Sequence, residues 1–128
     1  MGSETMTSDD WGTPTWVLEM FKGYFDSCPL TSDGIRSTDG LAIDWAPKTF
    51  VNPPYSDPGP WVDKAIRERD KGRFVVLLVR LDTSTEWWLR LVEAGARFIY
   101  FYHRLTFLRL DRTPRPARFA SVLVVLAP

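Results

Sequence analysis

Blocks of apolar and polar residues along the chain predict three helices. The first follows Thr13-Pro14, where Thr13 would cap the helix and Pro14 would occupy its first position. Its apolar stripe would consist of Trp16, Val17, Met20, Phe21 and Tyr24. Two further helices are predicted over residues 60–72 and residues 83–95, each ending at a glycine.

Shorter apolar runs predict six strands, which are YFDSCPL, KTFVN, RFVVLLVRL, ARFIYFY, RLTFLRL and RFASVLVVLAP. The third has a continuous apolar centre, which is typical of a central strand covered on both faces. The prolines of the segment DRTPRPA exclude a helix there, so the last two strands are expected to form a hairpin. Strands alternate with helices early and follow one another later, which predicts an α/β fold. Its sheet would be mostly parallel, with an antiparallel C-terminal hairpin and helices on both faces.

Length and composition predict one globular domain. The chain has 128 residues, of which 45% are hydrophobic and 25% charged. Residues 11–128 are expected to form a single domain, and the polar, acidic residues 1–10 a flexible tail. No apolar run approaches the roughly 18 residues that would span a membrane. The chain has one cysteine, Cys28, and one histidine, His103, so no metal site is expected. A single cysteine cannot form an internal disulfide, which fits a reducing cytosol.

Charge is distributed unevenly along the chain, although the formal net charge is zero. Residues 1–70 carry 6 Lys and Arg against 12 Asp and Glu, whereas residues 71–128 carry 10 against 4. The arginine-rich segment HRLTFLRLDRTPRPAR is typical of a surface that contacts a polyanion. A solvated loop without a partner is the alternative, and charge alone does not decide between them.

The segment Asn52-Pro53-Pro54-Tyr55 ends the second strand and carries unusual chemistry. Successive prolines fix φ, so the Asn52 side chain and the Pro53 carbonyl can face one point. Two acceptors there suit an exocyclic amino group, because hydrogen bonds to both of its N–H groups free the nitrogen lone pair for attack. Tyr55 offers a flat face on which a base could stack, worth roughly 1–3 kcal/mol. A plain turn with a packed tyrosine is the alternative, but the complete motif after a strand favours methyl transfer to an amino nitrogen.

With this motif the chain resembles the phage-type DNA N6-adenine methyltransferases, the phage Dam family. The likeness extends from about Trp11 to Val125 and includes, in order, WGTP, FDSCP, DGLAIDW, FVNPPY, GPWVDKA, TEWW, RLTF and ASVLVV. The resemblance implies a compact Rossmann-like methyltransferase sheet. It also implies transfer of a methyl group from S-adenosyl-L-methionine to the N6 amino group of adenine in double-stranded DNA.

The resemblance also implies roles for individual residues. Asn52 and the Pro53 carbonyl, aimed by Pro54, would hold the amino group, and Tyr55 would stack on a flipped-out base. The residues implied for the cofactor are Thr13, Pro14, Asp26 and Asp39. Their ordinary alternatives are a helix start for the first two and turn capping for the two aspartates.

On the substrate side, Phe107 is expected to be a second stacking partner for the base, with ordinary strand packing as the alternative. Arg112, Arg115 and Arg118 are expected to contact DNA phosphates and to make the affinity sensitive to salt.

The chain departs from the family pattern in three places. Only Gly34 stands where relatives carry a glycine-rich loop after the first strand. Arg80 stands where relatives tend to have proline, and Asp82 where they tend to have arginine. A separate target-recognition domain is not expected in so short a chain.

The motif is specific for an amino group but does not select DNA, so methyl transfer to cytosine N4, an RNA base or a protein glutamine stays open. The missing glycine-rich loop keeps open a non-catalytic DNA-binding module that retains the fold. The expected protein is a monomer or homodimer in the cytoplasm, encoded by a phage or prophage and acting on DNA in the host cell.

Overall fold

The computed structural model describes residues 12–29, 39–108, 114–117 and 119–128. The helices are α1 (Thr15–Met20), α2 (Gly59–Asp70) and α3 (Glu86–Glu93). The strands are β1 (Phe25–Asp26), β2 (Lys48–Val51), β3 (Phe74–Arg80), β4 (Arg97–Tyr100), β5 (Thr106–Leu108), β6 (Pro114–Pro116) and β7 (Ser121–Leu126). A short 3-10 turn spans Asp39–Leu41. The tail predicted for residues 1–10 lies outside the described residues.

A five-stranded mixed sheet in the order β1-β2-β3-β7-β4 organises the structure, and the prediction of an α/β fold is confirmed. β1, β2 and β3 pair in parallel, and β7 pairs antiparallel with both β3 and β4. Four strands therefore point one way and β7 points the other way. The prediction of a mostly parallel sheet is wrong, because two of the four pairings in this sheet are antiparallel, as is the pairing of β5 with β6 in a separate sheet.

The predicted C-terminal hairpin is also wrong, because the last two predicted strands do not pair with each other. β5 pairs with β6 in a separate two-stranded sheet, in which Phe107 lies opposite Arg115. β6 comes from the segment expected to be a loop. Its two prolines are compatible with a strand because, among the described strands, β6 has one neighbour and needs N–H donors on one side alone. β7 instead lies between β3 and β4, as suits its continuous apolar sequence SVLVVL.

The sheet is covered on both faces. On one face, Leu77 and Val79 of β3 pack with the tryptophans of α2 and α3, which are Trp61, Trp87 and Trp88. On the other face, Val76 and Leu78 pack against Val17 of α1, Phe107 of β5 and Ala117. Alternate side chains of β3 therefore enter different clusters, and its five middle residues are all buried, as a central strand requires.

The helix α1 has only six residues and is shorter than the predicted apolar stripe requires. Trp16 and Met20 of that stripe are 52% and 54% exposed, whereas Val17 is fully buried. Phe21 lies after the helix and stacks on Phe50 of β2, with ring centres 4.9 Å apart. A helix of fewer than two turns presents too little surface for a stripe of five residues to face the core.

α2 and α3 confirm the sequence prediction closely. Gly72 and Gly95, which follow them, have φ angles of +100° and +79°, the left-handed conformation that ends a helix most easily at glycine. Arg90 of α3 donates to Asp63 of α2 across 2.6 Å, which joins the two helices. None of the helices in the described part of the chain has the length and apolar character that a membrane span requires.

A buried carboxylate fixes the amino-terminal end of the parallel strands. Glu68 of α2 is fully buried and accepts hydrogen bonds from the backbone N–H of Trp45, from Lys71 and, in an ion pair of 3.0 Å, from Lys64. Burial on its own raises the pKa of Glu68, but the hydrogen bonds from Lys64, the Trp45 N–H and Lys71 together hold it below its ordinary value. Glu68 is therefore a charged anchor between α2 and the segment that leads into β2.

Candidate active site

The carboxyl ends of β1, β2 and β3 lie at one edge of the sheet, because these strands run parallel. Ser27, Asn52 and Leu81 are the residues that directly follow them. This edge is where open α/β sheets bind ligands, and it is where the sequence placed the Asn-Pro-Pro-Tyr segment.

Asn52 is nearly inaccessible, with 1% of its surface exposed. Its side-chain Nδ2 donates a hydrogen bond to Thr13 Oγ1 across 2.8 Å. Its Oδ1 is buried and accepts no hydrogen bond from the described residues. A buried acceptor left unpaired costs about 1–3 kcal/mol, so this oxygen marks a place for an external donor.

The turn after Asn52 is fixed by two backbone carbonyls. The amide of Asp57 donates to the Pro54 carbonyl across 3.3 Å. The Tyr55 carbonyl accepts from Nη1 of Arg80, the last residue of β3. Together with the restricted φ angles of the two prolines, these bonds give the segment one conformation.

Tyr55 and Phe107, the two residues expected to stack on the base, lie side by side. Their rings contact edge to face with centres 5.6 Å apart, and Phe119 lies 4.7 Å from the Tyr55 ring. Tyr55 is 5% exposed and Phe107 is fully buried. In this arrangement both rings belong to a core cluster, and stacking on a base stays a prediction for each.

Asp26 is the last residue of β1, and Asp39 begins the 3-10 turn that packs against the end of this strand. Asp26 is exposed and its Oδ1 accepts from the Cys28 N–H across 3.1 Å, the turn contact expected as its alternative role. Asp39 is exposed and begins the 3-10 turn. Gly40 brings that turn against β1, since a Cβ at this position would lie 1.9 Å from the Ser27 carbonyl oxygen.

Thr13 and Pro14 differ from the helix start that was predicted. Pro14 is the residue before α1, not its first position, and the helix has no side-chain cap. The Pro14 carbonyl accepts from the amides of Val17 and Leu18 instead. Thr13 does not cap the helix because Pro14 occupies the N-cap position, and the Thr13 hydroxyl instead accepts from Asn52.

Comparison with known proteins identifies the family. A family model for DNA N-6-adenine-methyltransferase (Dam) matches residues 2–127. The chain belongs to this family. The resemblance inferred from the Asn-Pro-Pro-Tyr segment and its flanking sequence is therefore confirmed.

Two curated relatives from phages share the family. A DNA N-6-adenine-methyltransferase of Haemophilus phage HP1 is 31% identical, over 77% of this chain and 66% of the relative. A DNA N-6-adenine-methyltransferase of Escherichia phage T1 is 27% identical, over 77% of this chain and 47% of the relative. The chain thus spans just under two thirds and about half of their lengths. No solved structure matches it.

Three residues of this Dam family member were not predicted for the site. Ser27 is buried, and its Oγ has no hydrogen-bond partner among the described residues. Gly40 allows the close approach described above, and Arg80 binds the Tyr55 carbonyl. The available signal was the Asp39-Gly40 pair, which is typical of a tight turn.

Asp82 follows Arg80 by two residues and forms an ion pair with it, Nε to Oδ2, at 3.2 Å. Hydrogen bonds from Ser84, and then the Arg80 guanidinium, hold the pKa of Asp82 below its ordinary value. Asp82 is therefore ionised and keeps Arg80 oriented.

The arginines expected to contact DNA cannot be placed. Arg112 and Arg118 lie outside the described residues, and Arg115 contributes its backbone to β6 while its side chain lies outside them. Among the residues described, no three His, Cys, Asp or Glu side chains are grouped so that they could hold a metal ion.

Proposed function

We propose that this protein transfers a methyl group from S-adenosylmethionine to the N6 amino group of adenine in DNA. One observation carries the proposal, which is the buried and unpartnered Oδ1 of Asn52 at the carboxyl end of β2. Membership of the Dam family and the names of the phage relatives support it. The mixed sheet, with β1, β2 and β3 parallel, is compatible with a Rossmann-like methyltransferase core.

Asn52 and Pro53 would bind the amino group that reacts. The Thr13 hydroxyl holds the amide nitrogen of Asn52, which leaves Oδ1 to accept one N6 hydrogen. The Pro53 carbonyl would accept the other. The N6 lone pair, withdrawn from conjugation with the ring, would form the new nitrogen–carbon bond. S-adenosylmethionine would supply the methyl group and leave as the neutral thioether, and the methylated nitrogen would lose one proton to water.

Tyr55 would support the adenine ring. The amino group of a paired base is not accessible to attack, so the base must leave the duplex. Stacking on Tyr55 would offset part of that cost, by roughly 1–3 kcal/mol, with Phe107 as a second partner. Because both rings now pack together, we expect the aromatic cluster to rearrange when a base enters.

The end of β1 would bind the methyl donor, and the residues there fit it. When bound, S-adenosylmethionine supplies an electrophilic sulfonium methyl group. Asp26 and Asp39 present exposed carboxylates that can accept hydrogen bonds from hydroxyl and amino groups. Gly40 allows the close backbone approach for which relatives use a glycine-rich loop, and Thr13-Pro14 lies beside Asn52.

Double-stranded DNA is the partner that this function requires. We assign its phosphates to Arg112, Arg115 and Arg118, on the basic part of the chain. The protein would act on DNA in the cytoplasm of a host cell, as a monomer or homodimer.

The test is incubation with methyl-labelled S-adenosylmethionine and unmethylated duplex DNA, followed by digestion to nucleosides. We expect label in N6-methyladenine and a loss of about 100- to 1,000-fold in rate for Asn52→Ala, a size typical for loss of one directed polar contact. Asn52→Asp keeps an acceptor oxygen and should retain more activity than Asn52→Ala. Label in N4-methylcytosine, RNA or protein would refute adenine as the substrate. Binding of DNA without any methyl transfer would favour the non-catalytic module.

A further inference from the structure

Arg80 contacts two loops at the active-site edge of the sheet. Its Nη1 donates to the Tyr55 carbonyl in the loop after β2. Its Nε donates to Oδ2 of Asp82 in the loop after β3, across 3.2 Å. The guanidinium also lies over the Trp87 ring of α3, 5.4 Å from the ring centre. One side chain therefore joins the Asn-Pro-Pro-Tyr turn to β3 and α3.

The loop after β3 is itself well fixed, so it can hold Arg80 in one orientation. Asp82 Oδ1 accepts from the Ser84 hydroxyl across 2.7 Å, and the Asp82 carbonyl accepts from Thr85 Oγ1 across 3.0 Å. Thr85 caps α3 by accepting from the Trp88 N–H. The guanidinium is thus oriented by a carboxylate that is anchored to a helix start.

Further bonds of the turn that the described residues show lie at its beginning and within the turn itself. Asn52 is bonded to Thr13 at its beginning, and the Asp57 amide closes the turn on Pro54. Pro53 and Pro54 carry no N–H, so neither can donate a backbone hydrogen bond to a neighbouring strand. The Tyr55 carbonyl is where the second half of the turn is tied to the central strand.

We propose that Arg80 is a positioning residue that sets the orientation of the Asn-Pro-Pro-Tyr turn for methyl transfer. This inference rests on the proposed function and deepens it. Arg80 acts through Tyr55 and does not touch the reacting atoms.

Lysine at position 80 should not be able to perform the role of Arg80. The planar guanidinium offers Nε to Asp82 and Nη1 to Tyr55 in a fixed geometry, whereas one ammonium on a flexible stem cannot keep both directions. A displacement of about 1 Å in a reacting group can lower a rate about 100-fold. We therefore expect Arg80→Lys and Arg80→Met to lower kcat about 10- to 100-fold while the KM for S-adenosylmethionine changes less than about 3-fold.

The experiment compares these variants with a matched arginine. Arg90 is also partly exposed and also pairs with an aspartate through Nε, but this pair joins α3 to α2 and not to the Tyr55 carbonyl. Arg90→Lys and Arg90→Met should leave kcat unchanged. Hydrogen exchange at the amides of Tyr55, Ser56 and Asp57 is measured in parallel, and it should become at least about 10-fold faster in the Arg80 variants only. Asp82→Asn, which leaves Arg80 in place, should produce a smaller change of the same kind.

The outcomes separate this inference from the proposed function. Faster exchange together with a lower kcat supports the positioning role. Unchanged exchange, or faster exchange with an unchanged kcat, overturns it. If the wild-type protein transfers no methyl group, the proposed function fails, and the exchange data still show whether Arg80 holds the turn. If the Arg80 variants do not fold, Asp82→Asn decides by the same two measurements.

Discussion

The side chain of Asn52 donates a hydrogen bond to the hydroxyl of Thr13, which lies 39 positions earlier in the chain. The bond fixes which atom of the amide faces the site. Because Nδ2 is engaged with Thr13, Oδ1 is the atom left to accept a hydrogen bond. The segment before α1 and the end of β2 therefore form one site, and the first prediction concerns this bond.

Thr13→Val keeps the shape of the side chain but removes the acceptor. We expect a loss of about 1–3 kcal/mol in the free energy of unfolding, since the Nδ2 donor would then be buried without a partner. Methyl transfer should fall because the Asn52 amide is free to turn. Thr13→Ser keeps the oxygen and should stay close to wild type. Chemical denaturation and initial rates measure the two effects, and equal values for the valine and serine variants would refute the role of the bond.

Gly40→Ala should disturb the end of β1. The added Cβ would lie 1.9 Å from the backbone oxygen of Ser27, so the 3-10 turn must move. Overpacking of this kind costs about 1–3 kcal/mol, and the affinity for S-adenosylmethionine should fall with it. Gly59→Ala is the control, because its nearest neighbour is the flexible end of Arg90 at 3.5 Å. Gly59 lies in α2, so alanine there should be neutral or stabilising by up to about 1 kcal/mol. Calorimetric binding and thermal unfolding report both changes.

Phe107→Ala should destabilise the protein by about 3–5 kcal/mol, because it empties a fully buried position between Tyr55 and Phe119. Phe107→Leu keeps most of the volume and removes the ring, so it separates packing from stacking. If Phe107 stacks on the base, the leucine variant should fold normally and bind DNA containing the target adenine more weakly. Unfolding curves and filter binding provide the two measurements. Wild-type affinity in the leucine variant would show that Phe107 serves packing alone.

Glu68 should make the free energy of unfolding fall at acidic pH. Its pKa is lower in the folded protein than in the unfolded chain, so its contribution is fully present above the unfolded value of about 4.3. That contribution is lost as the pH falls through the folded value, because the unfolded chain then binds more protons. Glu68→Gln should cost about 3–5 kcal/mol at pH 7, since Lys64 loses its buried partner.

The Glu68 prediction is checked by urea unfolding between pH 3 and pH 7. The glutamine variant should show a flatter dependence below about pH 4.5 than the wild type. Glu93→Gln, which changes an exposed carboxylate, is the matched control and should follow the wild type. Parallel curves for the wild type and Glu68→Gln would contradict the prediction.

Replacing Arg112, Arg115 and Arg118 by glutamine should weaken binding to duplex DNA and reduce its dependence on salt. Each lost phosphate contact lowers the slope of log affinity against log salt by about one unit. The expected change for the triple variant is therefore about three units, measured by fluorescence anisotropy at several salt concentrations. Arg97→Gln on β4 is the control, because it removes one positive charge at a position not assigned to DNA. An unchanged slope in the triple variant would remove these arginines from the DNA interface.

Much of the fold was visible in the sequence because it depends on local patterns. The glycines after α2 and α3, and the buried run of β3, identify elements within a few residues of their observed bounds. Strand pairing was harder to predict. β7 lies between β3 and β4, and its partners begin 47 and 24 positions earlier, so no local pattern specifies them.

The site was predictable to the same extent. The Asn-Pro-Pro-Tyr segment carries its chemistry in four consecutive residues, and its place at the end of β2 followed from the strand before it. Thr13 was expected to cap a helix, because capping preferences are local and the competing donor on Asn52 is distant in sequence. Arg80 was missed for the same reason, since its partner Tyr55 lies on another loop.

The position of β7 has a consequence for the order in which the protein is made. Residues 121–126 separate β3 from β4, so these two strands have no sheet partner on their facing edges until that segment has left the ribosome. The Asn-Pro-Pro-Tyr segment is synthesised some seventy residues earlier, yet the strand that carries Arg80 gains its second neighbour only then. The Asn-Pro-Pro-Tyr segment is therefore synthesised early and β7 late, so a nascent chain contains the motif well before it can form the complete sheet.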